Sequence, residues 1–324
     1  MAHHLSTNLF GQAEMAYTGQ VPWHGLGTPV EADASIDTWR QKAGLMFDYV
    51  QATPMVPGKD EPIIFKDYGG IYRSDNLKPM AILSKAYKLV QPVQMLEFFR
   101  SLVESEGFTI ETVGALKEGR RIWAMAKTNF ESDILGSDRY KANLLLITSC
   151  DGSLATTAKF VSTRVVCWNT QDIALHSAGE NGQAVKVRHS SIFNPDSVKS
   201  QMGLLGGVAF DALVDRMRRL TKVTVSDADA QRFLTSLLPK PTGEKPIEES
   251  AGFKTIMNLF GGAAKGSDLP GVDHTAYGLL NAVTEYVDHK ARAHTKENRF
   301  LSAMYGPGAT LKAATEDFLM DLAT

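Results

Sequence analysis

Apolar residues in the middle of the chain recur in short runs that turn residues separate. Residues 108–113 and 121–128 predict two strands with a turn at 117–120 between them. Residues 143–149 are almost entirely apolar, which is typical of a strand buried on both faces. Asp151 and Gly152 predict a hairpin to a returning strand at 155–161. The pattern therefore predicts an antiparallel β-module at the centre of the chain.

Helical spacing flanks this module on both sides. Residues 35–44 predict a short helix with Ser35 as its N-cap. Residues 92–105 predict a longer helix that starts at Pro92, with Gly107 just past its end. After the module, residues 165–175 are expected to begin as a strand and turn helical near Asn169. Three further helices are predicted, at 195–220, at 276–292, and after the turn at 307–308. In the N-terminal part, residues 63–65 and 70–73 predict a hairpin.

The order of these elements predicts an α+β fold, an antiparallel β-hairpin sheet flanked by helices with a helical C-terminal region. Three parts are expected. Residues 1–91 form an N-terminal arm and a small β/α region, and residues 92–238 form an α-β-β-β-α core. Residues 239–324 form a linker, marked by three prolines and a glycine at 239–246, and C-terminal helices.

Composition narrows the class of protein. The 324 residues carry a formal charge of −2, so a strongly basic protein that coats DNA is not indicated. Two cysteines argue against a disulfide framework and suit a reducing compartment. The chain shows neither a secretory leader nor an apolar run of about 18 residues. We therefore expect no membrane association and a cytoplasmic location.

Sequence motifs of known enzymes are missing. The chain has no GxSxG, no phosphate-binding loop ending in GK[ST], no CxxC and no HExxH. No cofactor is expected, and binding is favoured over catalysis. One alternative keeps an enzyme open, because Glu285, Asp288 and His289 share a helical surface at a spacing that metal ligands use. The other interpretation of these three residues is a solvated face with helix salt bridges.

Basic residues are enriched in the β-module. The segment from Arg139 to Arg188 contains six lysine and arginine residues but only three aspartate and glutamate residues, and aromatic residues lie among them. Cations along a sheet can bind phosphates, and aromatic rings can stack on bases. Lys159 and Phe160 are neighbours on one strand, so one of them is expected to point outward. The candidate nucleic-acid-binding residues are Lys117, Arg120, Arg121, Lys159, Phe160, Arg164, Trp168, Asn169, Lys186 and Arg188. Ordinary surface charge is the competing interpretation.

Three motifs carry a resemblance to a known family. They are Pro-Trp-His-Gly-Leu-Gly at 22–27, Arg-Val-Val-Cys-Trp-Asn-Thr at 164–170, and the stretch 275–289 followed by 308–312. Together they resemble a family of phage- and plasmid-encoded proteins of unknown function. The resemblance implies a protein of a mobile element in an infected bacterial host, and it implies no chemistry.

The order of elements in the core also resembles single-strand annealing proteins of the Redβ, RecT and Erf kind. That resemblance implies a groove between sheet and helix that holds single-stranded DNA, and assembly into a ring or filament. The leading hypothesis is thus a homo-oligomeric phage protein that binds single-stranded DNA and promotes annealing in recombination. The alternatives are a metal-assisted hydrolase using Glu285, Asp288 and His289, and a phage protein that binds a host factor.

Overall fold

A computed structural model describes residues 6, 12–19, 27–164, 166, 169–172, 184–203, 206–239, 246–293 and 296–323. Strands β1 to β13 are, in chain order, Met15–Tyr17, Thr28–Pro29, Tyr49–Ala52, Met55–Val56, Ile63–Ile64, Tyr68–Arg73, Pro79–Ser84, Thr109–Leu116, Arg121–Ile134, Asp138–Ser149, Thr156–Arg164, Asn169–Asp172 and Val185–Val187. Helices α1 to α9 are Ile36–Lys42, Pro92–Glu106, Pro195–Gly203, Gly206–Leu220, Asp227–Leu237, Ala251–Asn258, Ala276–Glu285, Lys296–Tyr305 and Pro307–Asp321.

The largest sheet has eight strands and is built around the predicted β-module. Its order is β12-β11-β10-β9-β8-β1-β2, and β13 pairs with β11 beside β12. All neighbours run antiparallel except β1 and β2, which are parallel. Strands β9 and β10 have 14 and 12 residues and form the longest ladder. The fold is therefore α+β, as the sequence pattern predicts, with strands longer than the apolar runs alone.

Local chemistry explains where the first helices begin and end. The Ser35 hydroxyl accepts a hydrogen bond from the Thr38 amide at 3.2 Å and so caps α1. Pro92 lies in the first turn of α2, where its missing N–H costs nothing. Gly107 ends α2 in a left-handed conformation with φ 68°. These helix limits were predicted from sequence and are confirmed.

Both faces of the sheet are covered. Helices α2 and α4 contact β9 on one face, and α7 contacts β12. On the other face, Trp123 and Ile147 belong to a smaller apolar cluster with Met304 of α8. The larger core contains Trp39, Phe210 and Leu280, one from each of the three parts that the sequence suggested. One core thus joins all three parts, and their separation into domains stays a prediction.

Several sequence predictions are wrong in detail. Strand β5 pairs with β4, and β6 pairs with β3 and β7, so residues 63–65 and 70–73 do not form one hairpin. Asn169 lies in β12 opposite Arg164, so the backbone is extended at the point where a turn to helix was predicted. The predicted helix at 195–220 is divided into α3 and α4. Pairing partners distant in sequence decide each of these points.

Two further predictions concern residues that the structure does not describe. Residues 22–26 of the first motif and 240–245 of the proposed linker lie outside the described residues. None of the described helices combines the length and apolar character needed to cross a bilayer.

Candidate nucleic-acid interface

Lys159 faces the protein interior and not solvent. Its side chain is 2% exposed, its Nζ donates to the Met304 carbonyl at the end of α8, and it lies 4.4 Å from the centre of the Tyr305 ring. Phe160 on the opposite face is also buried. The expectation that one of the two points outward is therefore wrong, because helices cover both faces of β11.

Arg164 forms a buried ion pair with Asp138 of the neighbouring strand. Arg164 Nε donates to the two carboxylate oxygens at 2.9 and 2.8 Å, and the two side chains are 1% and 0% exposed. The remaining nitrogens donate to the carbonyls of Lys265 and Gly266 at 3.2 and 3.1 Å. The Tyr277 hydroxyl donates to the same carboxylate at 2.7 Å. The Arg164 guanidinium thus has several internal partners, and through the shared Asp138 carboxylate it is linked to Tyr277 of α7.

The proposed stacking residues also have other environments. Trp168 lies outside the described residues, as does the side chain of Asn169. Trp123, an aromatic residue of the β-module outside the proposed set, is 6% exposed and packs against Phe300 of α8 with ring centres 5.4 Å apart. Among the described aromatic residues of the module, none that was proposed for stacking is open to solvent.

The other proposed cations lie together at one end of the sheet, where the β8–β9 and β10–β11 turns meet. Sequence-distant lysines join them there. We call this surface the basic end, and none of its cations is buried. Its members are Lys78, Lys85, Lys88, Lys117, Arg120, Arg121, Lys186 and Arg188.

Defined contacts bring these segments together. Arg120 Nε donates to the Met80 carbonyl at 3.0 Å, and Lys78 Nζ lies 2.6 Å from a Glu118 carboxylate oxygen. Arg121 Nε donates to the Ser153 hydroxyl at 3.1 Å, which joins the two turns. Two carboxylates, Glu118 and Asp151, interact with this set of eight cations. The surface therefore keeps a clear excess of positive charge, although the whole chain is slightly acidic.

An aromatic pair lies within the basic end. The rings of Tyr87 and His189 stack with centres 4.4 Å apart and an interplanar angle of 14°. Burial raises the pKa of Tyr87 to about 12, so at neutral pH the hydroxyl stays protonated and donates to the Ser149 carbonyl at 2.9 Å. The nitrogens of His189 face the carbonyls of Lys88 and Leu154 at 2.8 and 3.2 Å. These bonds hold the aromatic pair in a fixed place among the cations.

Sequence reasoning missed the contribution of residues 78–88. This stretch contains three lysines and Tyr87 and no carboxylate. That composition is a signal in its own right, but the stretch precedes the β-module and only the fold places it beside residues 117–121. The basic surface is thus assembled from segments that are distant in sequence.

The residues of the alternative metal site do not converge. Glu285 Oε2 accepts the Lys265 amide at 3.0 Å, while Asp288 is paired with Lys312 at 3.0 Å. His289 lies in a π-helical turn, Tyr286–Lys290, which changes the angular spacing expected for an α-helix. Within the described part of the chain, no three His, Cys, Asp or Glu side chains are grouped as metal ligands.

Cys150, directly after β10, is buried, and its reactivity tests how tightly this end of the sheet is packed. Burial, together with the charge of Asp151, raises the pKa of the Cys150 thiol to about 12. Because the thiolate is the nucleophile, we expect iodoacetamide at pH 8 to label Cys150 at least about a hundredfold more slowly in the folded protein than in denaturant. Mass spectrometry of a Cys167→Ser variant measures this rate for Cys150 alone.

The same shift predicts a dependence on pH. The folded thiol keeps its proton up to a pH of about 12, whereas an unfolded thiol ionises near about 8.5. The contribution of the Cys150 thiol to the free energy of unfolding is therefore complete at neutral pH. It is lost as the pH rises from about 8.5 to about 12. Rapid labelling of the folded protein at pH 8 would contradict the buried position, and the double variant Cys150→Ser with Cys167→Ser provides the unlabelled control.

Comparisons with known proteins give one match. A family model described as "Domain of unknown function (DUF932)" matches residues 79–304, about two thirds of the chain. The matched part includes the motif at 164–170 and the stretch 275–289, whereas 22–27 and 308–312 lie outside it. No curated protein and no solved structure matches.

Proposed function

The chain belongs to the family described as Domain of unknown function (DUF932), and we propose that it binds single-stranded nucleic acid, DNA foremost, through the basic end. The observation that carries this proposal is the convergence of eight solvent-accessible cations at one end of a slightly acidic protein, from the three segments 78–88, 117–121 and 186–188. Such a local excess attracts phosphates even where the net charge is negative.

The proposal uses fewer residues than the sequence pattern suggested. Lys117, Arg120, Arg121, Lys186 and Arg188 stay as phosphate contacts, and Lys78, Lys85 and Lys88 join them. Lys159, Phe160 and Arg164 are assigned to the packing of the sheet, since their polar and apolar contacts are internal.

A single strand fits this surface better than a duplex does. Bases of a single strand expose their faces, and aromatic rings beside cations bind such faces without regard to sequence. The Tyr87–His189 pair supplies rings in that position.

Fluorescence anisotropy with a labelled oligo(dT) tests the proposal directly. We expect binding at micromolar protein or below in about 50 mM salt, and a marked loss of affinity at about 200 mM, because bound phosphates release counterions. A duplex of equal length should bind more weakly, and an RNA strand in parallel reports the preference for sugar. An oligonucleotide that stays unbound at micromolar protein in low salt would refute the proposal.

We further propose that the protein acts as a homo-oligomer and promotes annealing. The hairpin β4–β5 supports assembly, because Met55, Val56, Ile63 and Ile64 are between 43% and 62% exposed and lie on both of its faces. A two-stranded hairpin with this much exposed apolar surface is stable mainly when a partner covers it. In an infected bacterial cell, such annealing would serve recombination of phage DNA.

Light scattering and a strand-pairing assay separate these points. A mass of several chains, reduced to one chain by Ile63→Asp with Ile64→Lys, would support the oligomer. Faster pairing of two complementary fluorescent strands with the protein than without it would support annealing. A monomer that copurifies with one bacterial protein would instead favour the binding of a host factor. The metal-assisted hydrolase has no support from the separate positions of Glu285, Asp288 and His289.

A further inference from the structure

A groove of about 260 Å³ opens at the basic end beside the Tyr87 ring. It lies between β3, the loop that leads into α2, the first turn of α2, and residues 192–193. Its lining includes Gln51, Lys85, Lys88, Gln94, Ile192 and Phe193. Two of the basic-end cations, Lys85 and Lys88, therefore border an open groove.

One part of the groove wall is apolar, and two of its rings are held in place by the fold. Phe193 is buried against the core, and the Tyr87 ring is fixed by its stacking on His189. Ile192 stands at the rim with 76% of its surface exposed, the most exposed of the large apolar residues in the described part of the chain. A flat apolar ligand that enters the groove would cover this side chain and gain hydrophobic burial.

Two amides give the groove a means of recognising polar edges. The Gln94 Oε1 accepts a hydrogen bond from the Gln91 backbone N–H at 2.9 Å. This bond fixes the Gln94 side chain and points its NH₂ group away from the Gln91 backbone. The Gln51 side chain passes over Gly69, where a Cβ would lie 2.1 Å from its Nε2. Among the described residues, no acceptor holds either NH₂ group. Glutamine amides in such positions can pair with the hydrogen-bonding edges of bases.

The two lysines complete the chemistry. Lys85 and Lys88 are exposed, and within the described part of the chain no carboxylate pairs with them. They are thus available for a phosphate at the mouth of the groove. Drug-sized ligands occupy pockets of about 300–1,000 Å³, so this smaller groove suits a single nucleotide unit and no longer piece.

We propose that the groove holds one unstacked nucleotide of the bound strand, its base against Tyr87 and Phe193 and its phosphate between Lys85 and Lys88. This inference rests on the proposed function and adds a base-binding site to it. Affinity would then depend on the presence of bases as well as on phosphate charge.

The test compares oligo(dT) with an abasic strand of the same length in the full-length protein. Wild type is expected to bind oligo(dT) more tightly. Ile192→Trp, which fills the groove from an exposed position, should weaken binding to oligo(dT) by at least about fivefold and leave binding to the abasic strand unchanged. Leu322→Trp adds the same ring at a residue that is 54% exposed just after the last helix, and should change neither affinity. Unaltered thermal unfolding of both variants confirms that they fold.

The outcomes separate the two claims. If wild type binds both strands equally, or if Ile192→Trp weakens both alike, the base-binding groove is wrong while the basic end stands. If wild type binds neither strand, the proposed function fails and this inference fails with it. Photocrosslinking with 5-iodouracil in the strand gives a second readout. Crosslinks at Tyr87 or Phe193 are expected, and crosslinks confined to other peptides would overturn the assignment.

Discussion

Replacing Arg164 by methionine should lower the free energy of unfolding by about 3–5 kcal/mol, because the change leaves the Asp138 carboxylate charged and buried without its partner. Asp138 is 0% exposed and receives hydrogen bonds from Arg164 and Tyr277. The carbonyls of Lys265 and Gly266 lose donors as well. Urea unfolding followed by circular dichroism measures the change.

A double variant separates the buried charge from the lost packing. Arg164→Met with Asp138→Leu removes both charges and should be more stable than Arg164→Met alone, since no unpaired carboxylate remains. Arg164→Lys keeps the charge but has no planar fork for the carboxylate and two carbonyls, so it should also be destabilised. An unfolding midpoint of Arg164→Met equal to that of wild type would show that the guanidinium is not held in this network.

The second large effect concerns the basic end. Changing Lys186 and Arg188 together to glutamate should weaken binding to single-stranded DNA by at least about tenfold. Both side chains are exposed, Lys186 in β13, which pairs with β11, and Arg188 just after it, so the fold should tolerate the change. Each lost phosphate contact flattens the dependence of log K on log salt by about 0.7, so the double variant should flatten it by about 1.4. Anisotropy titrations over a range of salt measure both quantities.

A matched variant tests whether position or net charge matters. Lys222→Glu with Lys254→Glu makes the same change in charge at two exposed positions that are not part of the basic end, Lys222 in a loop and Lys254 in α6, which contacts α5 and α7. Thr221, the neighbour of Lys222 in the chain, packs against Gly271. Gly271 in turn lies against Leu135 in the β9–β10 turn, at the opposite end of the sheet from the basic end. This variant should bind nearly as wild type does. Equal losses in the two double variants would mean that binding follows overall charge and has no defined surface.

The location of Lys159 shows why charge patterns in strands are ambiguous. In the sequence, its spacing suits a cation on a solvent-facing sheet. In the fold, α8 covers that face, and the helix supplies the Met304 carbonyl and the Tyr305 ring from about 145 positions further along the chain. A buried ammonium is tolerated only where such partners exist, and no local pattern reveals a partner at that distance.

The sequence by itself determined the elements whose causes are local. The capped start of α1 at Ser35, the limits of α2 at Pro92 and Gly107, and the β8 to β11 strands follow from side chains within a few residues of each position. The α+β class follows from the order of these elements. The sequence also places Lys117, Arg120 and Arg121 at the β8–β9 turn.

Only the tertiary structure decided which surfaces those elements expose. It paired β5 with β4, buried Arg164 against Asp138, and placed the lysines of residues 78–88 beside Arg120 and Arg121. Strand pairing, burial of charge and assembly of a surface all depend on contacts between segments that are distant in sequence. The free energy of such contacts cannot be read from any short stretch of the sequence. The basic end and its groove are properties of the folded chain for that reason.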